Sequence, residues 1–132
     1  MSLDDRLSPR GWKILVVDDE PAELDRFHQI IRALGGECIG LGSAFGATNA
    51  AVEQRVQVVV LDETMAGLSG GGLWASMRER VVPRPGVVFA SDGSGDPGAL
   101  KRRFPEAQVL TKPVTPETML TALVQARRLA GD

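Results

Sequence analysis

Val56-Gln57-Val58-Val59-Val60-Leu61-Asp62 is apolar at every position but Gln57 until it reaches an aspartate. A run without polar alternation suits a strand covered on both faces, as in a parallel sheet flanked by helices. An acidic residue at its C-terminal end stands where open α/β sheets place their chemistry. Two other runs repeat the arrangement. Ile14-Leu15-Val16-Val17 ends in Asp18 and Asp19, and Val109-Leu110-Thr111 ends in Lys112. Carboxylates gathered at one sheet edge repel one another unless a cation compensates them. Oxygen-only ligands favour Mg2+ or a similar hard ion. Asp18, Asp19 and Asp62 with Lys112 therefore describe a site for a divalent cation and a phosphoryl group.

Working outward, the first strand is predicted at about residues 13–17. Pro21 suits the first turn of a helix, and Leu24, Phe27, Ile31 and Leu34 form one apolar stripe that ends at Gly35-Gly36. A short strand at 37–40 follows, then a helix from Ala44 to about Glu53 with Ser43 as its cap. The third strand is read as 56–61, and the next helix as 71–80 with Ser69 as a possible cap. Pro83 and Pro85 precede a fourth strand at 87–90. Asp96-Pro97 opens a fourth helix ending near Phe104-Pro105. A fifth strand at 108–110 and a helix opened by Thr115-Pro116-Glu117 complete the chain. A βα unit repeated five times, with right-handed crossovers, gives an α/β fold: one doubly wound domain with a parallel five-stranded sheet and helices on both faces. Residues 1–11 read as a flexible leader and 12–130 as the domain.

The chain's 132 residues suit one core, and its net charge of −2 gives no reason to expect DNA binding. Lys101-Arg102-Arg103 and Arg127-Arg128 read as solvated helix faces. A single cysteine, Cys38, excludes an intramolecular disulfide and points to a reducing, cytoplasmic setting. No run is long enough for a membrane span, and the N-terminus lacks the apolar core of a signal peptide. His28 falls off the apolar stripe of its helix and reads as a solvated histidine. Trp12 and Trp74 read as packing residues. The glycine-rich stretch 67–72 lacks the lysine of a phosphate-binding P-loop.

Val16-Val17-Asp18-Asp19-Glu20, Leu61-Asp62-Glu63-Thr64-Met65-Ala66-Gly67 and Thr111-Lys112-Pro113 together resemble the receiver domain of two-component response regulators, over about residues 12–129. The resemblance implies a CheY-like, flavodoxin-like fold. It implies Asp62 as the acceptor of a phosphoryl group from a sensor histidine kinase or phosphotransfer protein. It further implies Mg2+ held by Asp18, Asp19, Asp62 and the backbone carbonyl of Thr64, Lys112 as the phosphoryl-binding cation, and a cis Lys112–Pro113 bond. The expected partners are that donor and a downstream protein target or output domain, with a homodimer possible through the fourth helix, fifth strand and fifth helix. The protein would assist only its own phosphorylation and dephosphorylation, and would not be an enzyme in the usual sense. The chain reads equally as a stand-alone receiver or as part of a hybrid kinase or longer regulator.

Several positions depart from the family pattern. Ala66 replaces the usual proline. The switch hydroxyl at the end of the fourth strand falls on Ser91 by the strand pattern, or on Ala90 by the spacing back from Lys112; Ser91 is favoured. That choice sets Asp92, an extra carboxylate, beside the phosphoryl site. Val109 stands where the family has its aromatic switch residue, and the chain has no tyrosine. Ser91, Asp92 and Val109 thus form an altered switch region. These departures favour an alternative, a degenerate receiver that binds partners without phosphorylation. A Mg2+-dependent phosphohydrolase ranks lower, because its acid/base carboxylate belongs two residues after the nucleophile, where Thr64 stands.

Overall fold

The computed structural model describes residues 8–130. The strands are β1 (Lys13–Val17), β2 (Glu37–Leu41), β3 (Val58–Asp62), β4 (Gly86–Ser91) and β5 (Gln108–Thr111). The helices that follow each of them are α1 (Pro21–Ala33), α2 (Ala47–Gln54), α3 (Gly70–Met77), α4 (Pro97–Arg103) and α5 (Pro116–Ala130). All five strands are parallel, in the order β2-β1-β3-β4-β5. The order reverses between β1 and β3, the crevice where doubly wound sheets bind their ligands.

Alternation along the strands divides the core in two. Ile14, Val16, Val58, Val60, Val88 and Ala90 face Phe27 and Ile31 of α1 and Met119 and Leu123 of α5. Leu15, Val17, Val59, Leu61, Val87 and Phe89 face the other way, toward Ala51 of α2, Trp74 and Met77 of α3, and Phe104 after α4. Burying both faces explains why β3 has no polar alternation.

The element order is the expected one, and the boundaries moved where local chemistry overrode the pattern. Ser43 does not cap α2. Gly46, at φ 77°, turns the chain and the helix starts at Ala47. Ser69 does cap α3, its Oγ accepting the Gly72 N–H at 3.0 Å, and Asp96 caps α4 by accepting from Ala99 N at 3.1 Å. Strand β3 runs to Asp62 itself.

Residues 1–7 of the expected leader lie outside the described residues. Within its last four, Pro9 is buried, and Gly11 N–H donates to the Gly35 carbonyl at 2.9 Å. No helix among the described residues is long and apolar enough to cross a membrane.

Candidate functional site

Asp18 follows β1 and Asp62 ends β3, on neighbouring strands and on the α1/α5 face. Both are buried, Asp18 to 1 % and Asp62 to 7 % exposure. Asp19, one residue on, is exposed at the mouth. One carboxylate oxygen from each of the three can be chosen so that all lie within 4.8 Å of one another. Lys112 follows β5 and crosses above β4 to reach them. Its Nζ lies 3.1 Å from Asp18 Oδ2 and 3.5 Å from Asp62 Oδ1, and 6.0 Å from the centre of the Phe27 ring. The Lys112–Pro113 bond is cis, as is Val82–Pro83.

Backbone amides hold the carboxylates in place. Glu20 N–H donates to Asp18 Oδ1 at 3.0 Å, Thr64 N–H to Asp62 Oδ1 at 3.3 Å, and Ala66 N–H to Asp19 Oδ2 at 3.0 Å. The last bond ties the β3–α3 loop across to the end of β1, so the loop is tethered although Ala66 replaces a proline.

Burial first, and the Asp18 carboxylate second, push the Asp62 carboxyl above its ordinary range, against the opposing pull of Lys112 and the Thr64 N–H. Burial alone would lower Lys112. The Asp18 carboxylate, followed by Asp62 and Glu23, outweighs it and holds the ammonium above its usual value. Three carboxylates cluster here and Lys112 pairs with only two of them, Asp18 and Asp62, which leaves negative charge uncompensated. That excess and the all-oxygen donor set suit a hard divalent cation.

The switch region departs from the expectation. Asp62 pairs in register with Ala90, not with Ser91. Ala90 is fully buried in the α1/α5 core, on the same face as Asp62. Ser91 therefore falls on the opposite face, and its Oγ accepts the Gly93 N–H at 3.1 Å. The favoured placement of the switch hydroxyl at Ser91 is corrected: the position beside Asp62 carries a methyl group. Val109 pairs with Phe89 and packs against the α2/α3/α4 core, half-buried. Asp92 is exposed, and its carboxylate accepts both the N–H and the hydroxyl of Ser94, which hold it below the usual range.

Two contacts at this edge had no signal in the sequence. A side chain at Gly70 would collide with the Asp62 carbonyl, so the first residue of α3 can approach the end of β3 only as glycine. The Glu63 carboxylate packs against Gly95 in the β4–α4 loop, where even a Cβ would overlap it. Glu63 Oε2 is buried there without a hydrogen-bond partner. The residue after Asp62 thus touches the loop that leads into α4.

Cys38 is half-buried, and burial pushes its thiol up to about 11, as suits a core residue rather than a nucleophile. Trp74 is buried, its Nε1–H donating to Glu106 Oε2 at 3.0 Å.

Comparison with known proteins shows the family and the fold. The positive alginate biosynthesis regulatory protein of Pseudomonas aeruginosa is 32 % identical over 119 residues, which cover 87 % of this chain and 47 % of that protein. The sensor histidine kinase GacS of Pseudomonas protegens is 22 % identical over 132 residues, covering 96 % of this chain and 14 % of the kinase. The chain thus spans less than half the length of these curated relatives. Among solved structures, a receiver domain protein from Clostridium thermocellum superposes with a TM-score of 0.77 at 26 % identity, over 89 % of this chain and 94 % of that one. The chemotaxis protein CheY4 of Vibrio cholerae superposes with a TM-score of 0.78 over 88 % of this chain and 98 % of that one, and at 20 % identity it speaks for the fold alone. The model of the response regulator receiver domain matches residues 14–124, with Asp18, Asp19, Asp62 and Lys112 all inside the match, and the chain belongs to that family of two-component signalling domains.

Proposed function

We propose that this receiver accepts a phosphoryl group on Asp62 and that the modification changes its partner interactions. The observation that carries the reading is the convergence of the Asp18, Asp19 and Asp62 carboxylates, two of which, Asp18 and Asp62, pair with the Lys112 ammonium. An Asp62 carboxylate oxygen attacks the phosphorus of a phosphohistidine, the N–P bond breaks, and the imidazole of the donor leaves with the electron pair. Lys112, already 3.5 Å from Asp62 Oδ1, stays within reach of the incoming phosphoryl oxygens. The Thr64 N–H fixes the attacking carboxylate, and the Glu20 and Ala66 amides keep Asp18 and Asp19 in place. Mg2+, held by Asp18, Asp19, Asp62 and the Thr64 carbonyl, supplies the positive charge that phosphoryl transfer demands.

The donor is a sensor histidine kinase or phosphotransfer protein in the cytoplasm. The recipient of the signal is a protein target or output domain, with α4, β5 and α5 as the face for it or for a second copy. Hydrolysis of the acyl phosphate resets the domain, which turns over no other substrate.

Incubation with Mg2+ and acetyl phosphate, read by intact mass, tests this. One phosphoryl adduct is expected on the native chain and none on Asp62→Asn. An adduct of equal yield on Asp62→Asn would move the acceptor elsewhere.

A second reading has its own support. Ala90 places no hydroxyl beside Asp62, which favours a module that engages partners without phosphorylation. Absence of any adduct, with no change in tryptophan fluorescence on adding beryllium fluoride and Mg2+, would decide for that reading.

A further inference from the structure

The end of the sheet opposite Asp62 carries a second exposed surface. Two clefts, of about 410 and 580 Å3, meet there at Val81 and Val82 of the α3–β4 segment. The first is walled by Arg84, Pro85 and Leu129, the second by Val52, Arg55, Pro83 and Arg127. Gly86 and Gln57 line their floors, at the starting ends of β4 and β3. A five-residue strand separates this end from Asp62, roughly 16 Å at 3.3 Å per residue.

Apolar side chains stand out of the surface here. Val82 is 87 % exposed, Val52 48 % and Leu129 41 %. Around them positive charge predominates, with Arg55, Arg78, Arg84 and Arg127 against Glu79 and Glu106. Glu106 pairs with Arg78 at 3.2 Å, and the exposed Glu79 stands 4.0 Å from the same arginine. Arg55, Arg84 and Arg127 form no ion pair among the described residues. Arg55 ends α2 at φ 54°, the left-handed conformation that usually belongs to glycine, and it is the only described non-glycine residue at positive φ. Glycine would cost less at that point, so what arginine brings is its side chain on the cleft wall.

We propose that this face docks an acidic segment of a partner protein, with an apolar side chain seated around Val82 and its carboxylates paired with Arg55, Arg84 and Arg127. Charge complementarity selects an acidic partner. The exposed valines and leucine, and the absence of any aromatic lining residue, favour a peptide over a single-stranded nucleic acid, whose bases need stacking platforms. The surface lies apart from the phosphoryl site, so its occupancy tests independently of the chemistry at Asp62.

A fluorescein-labelled peptide of alternating glutamate and leucine serves as the probe, with polyglutamate and oligothymidylate for comparison. Anisotropy should show the mixed peptide binding best. Amide shifts should centre on Val52, Arg55, Val82, Arg84 and Leu129. Arg55→Gly, Arg84→Gln and Arg127→Gln should each weaken binding roughly two- to fivefold, while acetyl phosphate labelling of Asp62 stays unchanged. Arg55→Gly suits the left-handed backbone, so loss of binding there cannot be put down to misfolding. No binding, unchanged binding in the triple variant, or shifts centred instead on Lys101-Arg102-Arg103 would overturn the proposal. Equal binding of polyglutamate would remove the apolar anchor, and tighter binding of oligothymidylate would assign the face to nucleic acid.

Discussion

The pocket around Asp62 and the β4–β5 edge beside it are neighbours held by different forces. In the pocket each carboxylate accepts a backbone amide, and Lys112 reaches Asp18 and Asp62 from the end of β5. The strand ends that carry these groups are fixed by a core buried on both faces, so the charges cannot drift apart. At the edge, the residue facing Asp62 is a methyl group, Ala90, and the residue three before Lys112 is a β-branched valine, Val109. The loop from Asp92 to Gly95 is exposed and held chiefly by the turn between Asp92 and Ser94. The proposed phosphoryl pocket is thus built by the core. A relay from it would work without a hydroxyl beside Asp62 or an aromatic ring at position 109. Glu63, adjacent to Asp62, joins the two regions twice: its N–H donates to the Ala90 carbonyl at 2.8 Å and its carboxylate packs on Gly95.

The comparison breaks most sharply at Lys112. Lys112→Ala leaves Asp18 and Asp62 buried and facing each other without a cation. Removing one partner of a buried ion pair costs about 3 kcal/mol, and urea denaturation in chelator should show a loss of that order. Mg2+ should restore much of it, since a cation among the carboxylates supplies the missing charge. A loss that Mg2+ leaves untouched would mean that the pocket binds no cation.

Asp62→Asn tests the same charges in the opposite direction. Because the folded-state carboxyl lies above its unfolded value, ionisation of Asp62 opposes folding. The penalty is present once the pH exceeds that raised value, and it fades as the pH falls toward the unfolded one. The asparagine variant should therefore be more stable than the native chain at neutral pH without Mg2+, as urea denaturation would show. The gain should shrink on acidification and on adding Mg2+. A destabilised variant at neutral pH would show that the Lys112 pairing outweighs burial and the Asp18 repulsion.

Much of this site was legible before any coordinates. The apolar run ending in Asp62, the acidic pair after Val17 and the lysine after Thr111 each mark a strand end, and parallel pairing brings strand ends together. The phase of β4 was not legible. Val87 to Ala90 is apolar on both faces, so no side-chain alternation fixes its phase, and a one-residue error turns Ser91 toward Asp62. Pairing of Asp62 with Ala90 resolves it. The roles of Gly70 and Gly95 escaped for another reason. Both depend on an approach by a distant strand or side chain, which no local pattern encodes.

The edge can be given what it lacks. Ala90→Ser restores a hydroxyl beside Asp62 for the volume of one oxygen, at a cost of about 1 kcal/mol for a buried polar group. With beryllium fluoride and Mg2+, amide shifts in the variant should extend further into the β4–α4 loop and α4 than in the native chain. Equal spread in both would show that the native relay, through Glu63 and Gly95, already reaches α4 unaided.

The smallest effect is expected at Asp92. Ser94 keeps its carboxylate ionised at any pH near neutrality, and Lys112 lies close enough to feel its charge. A phosphoryl group on Asp62 would bring further negative charge to the same lysine, so Asp92 opposes the modified state by like-charge repulsion. The side chain is exposed, and solvent screens it, which limits the effect on the lifetime of the acyl phosphate to about twofold. Asp92→Ala should therefore slow the decay of protein labelled with acetyl phosphate, followed by intact mass after desalting. The difference from the native chain should narrow as salt is raised, because the interaction runs through solvent. An unchanged lifetime at low salt would show that Ser94 turns the carboxylate away from the site. A shortened one would give Asp92 the opposite role, holding Lys112 in position for the phosphoryl oxygens.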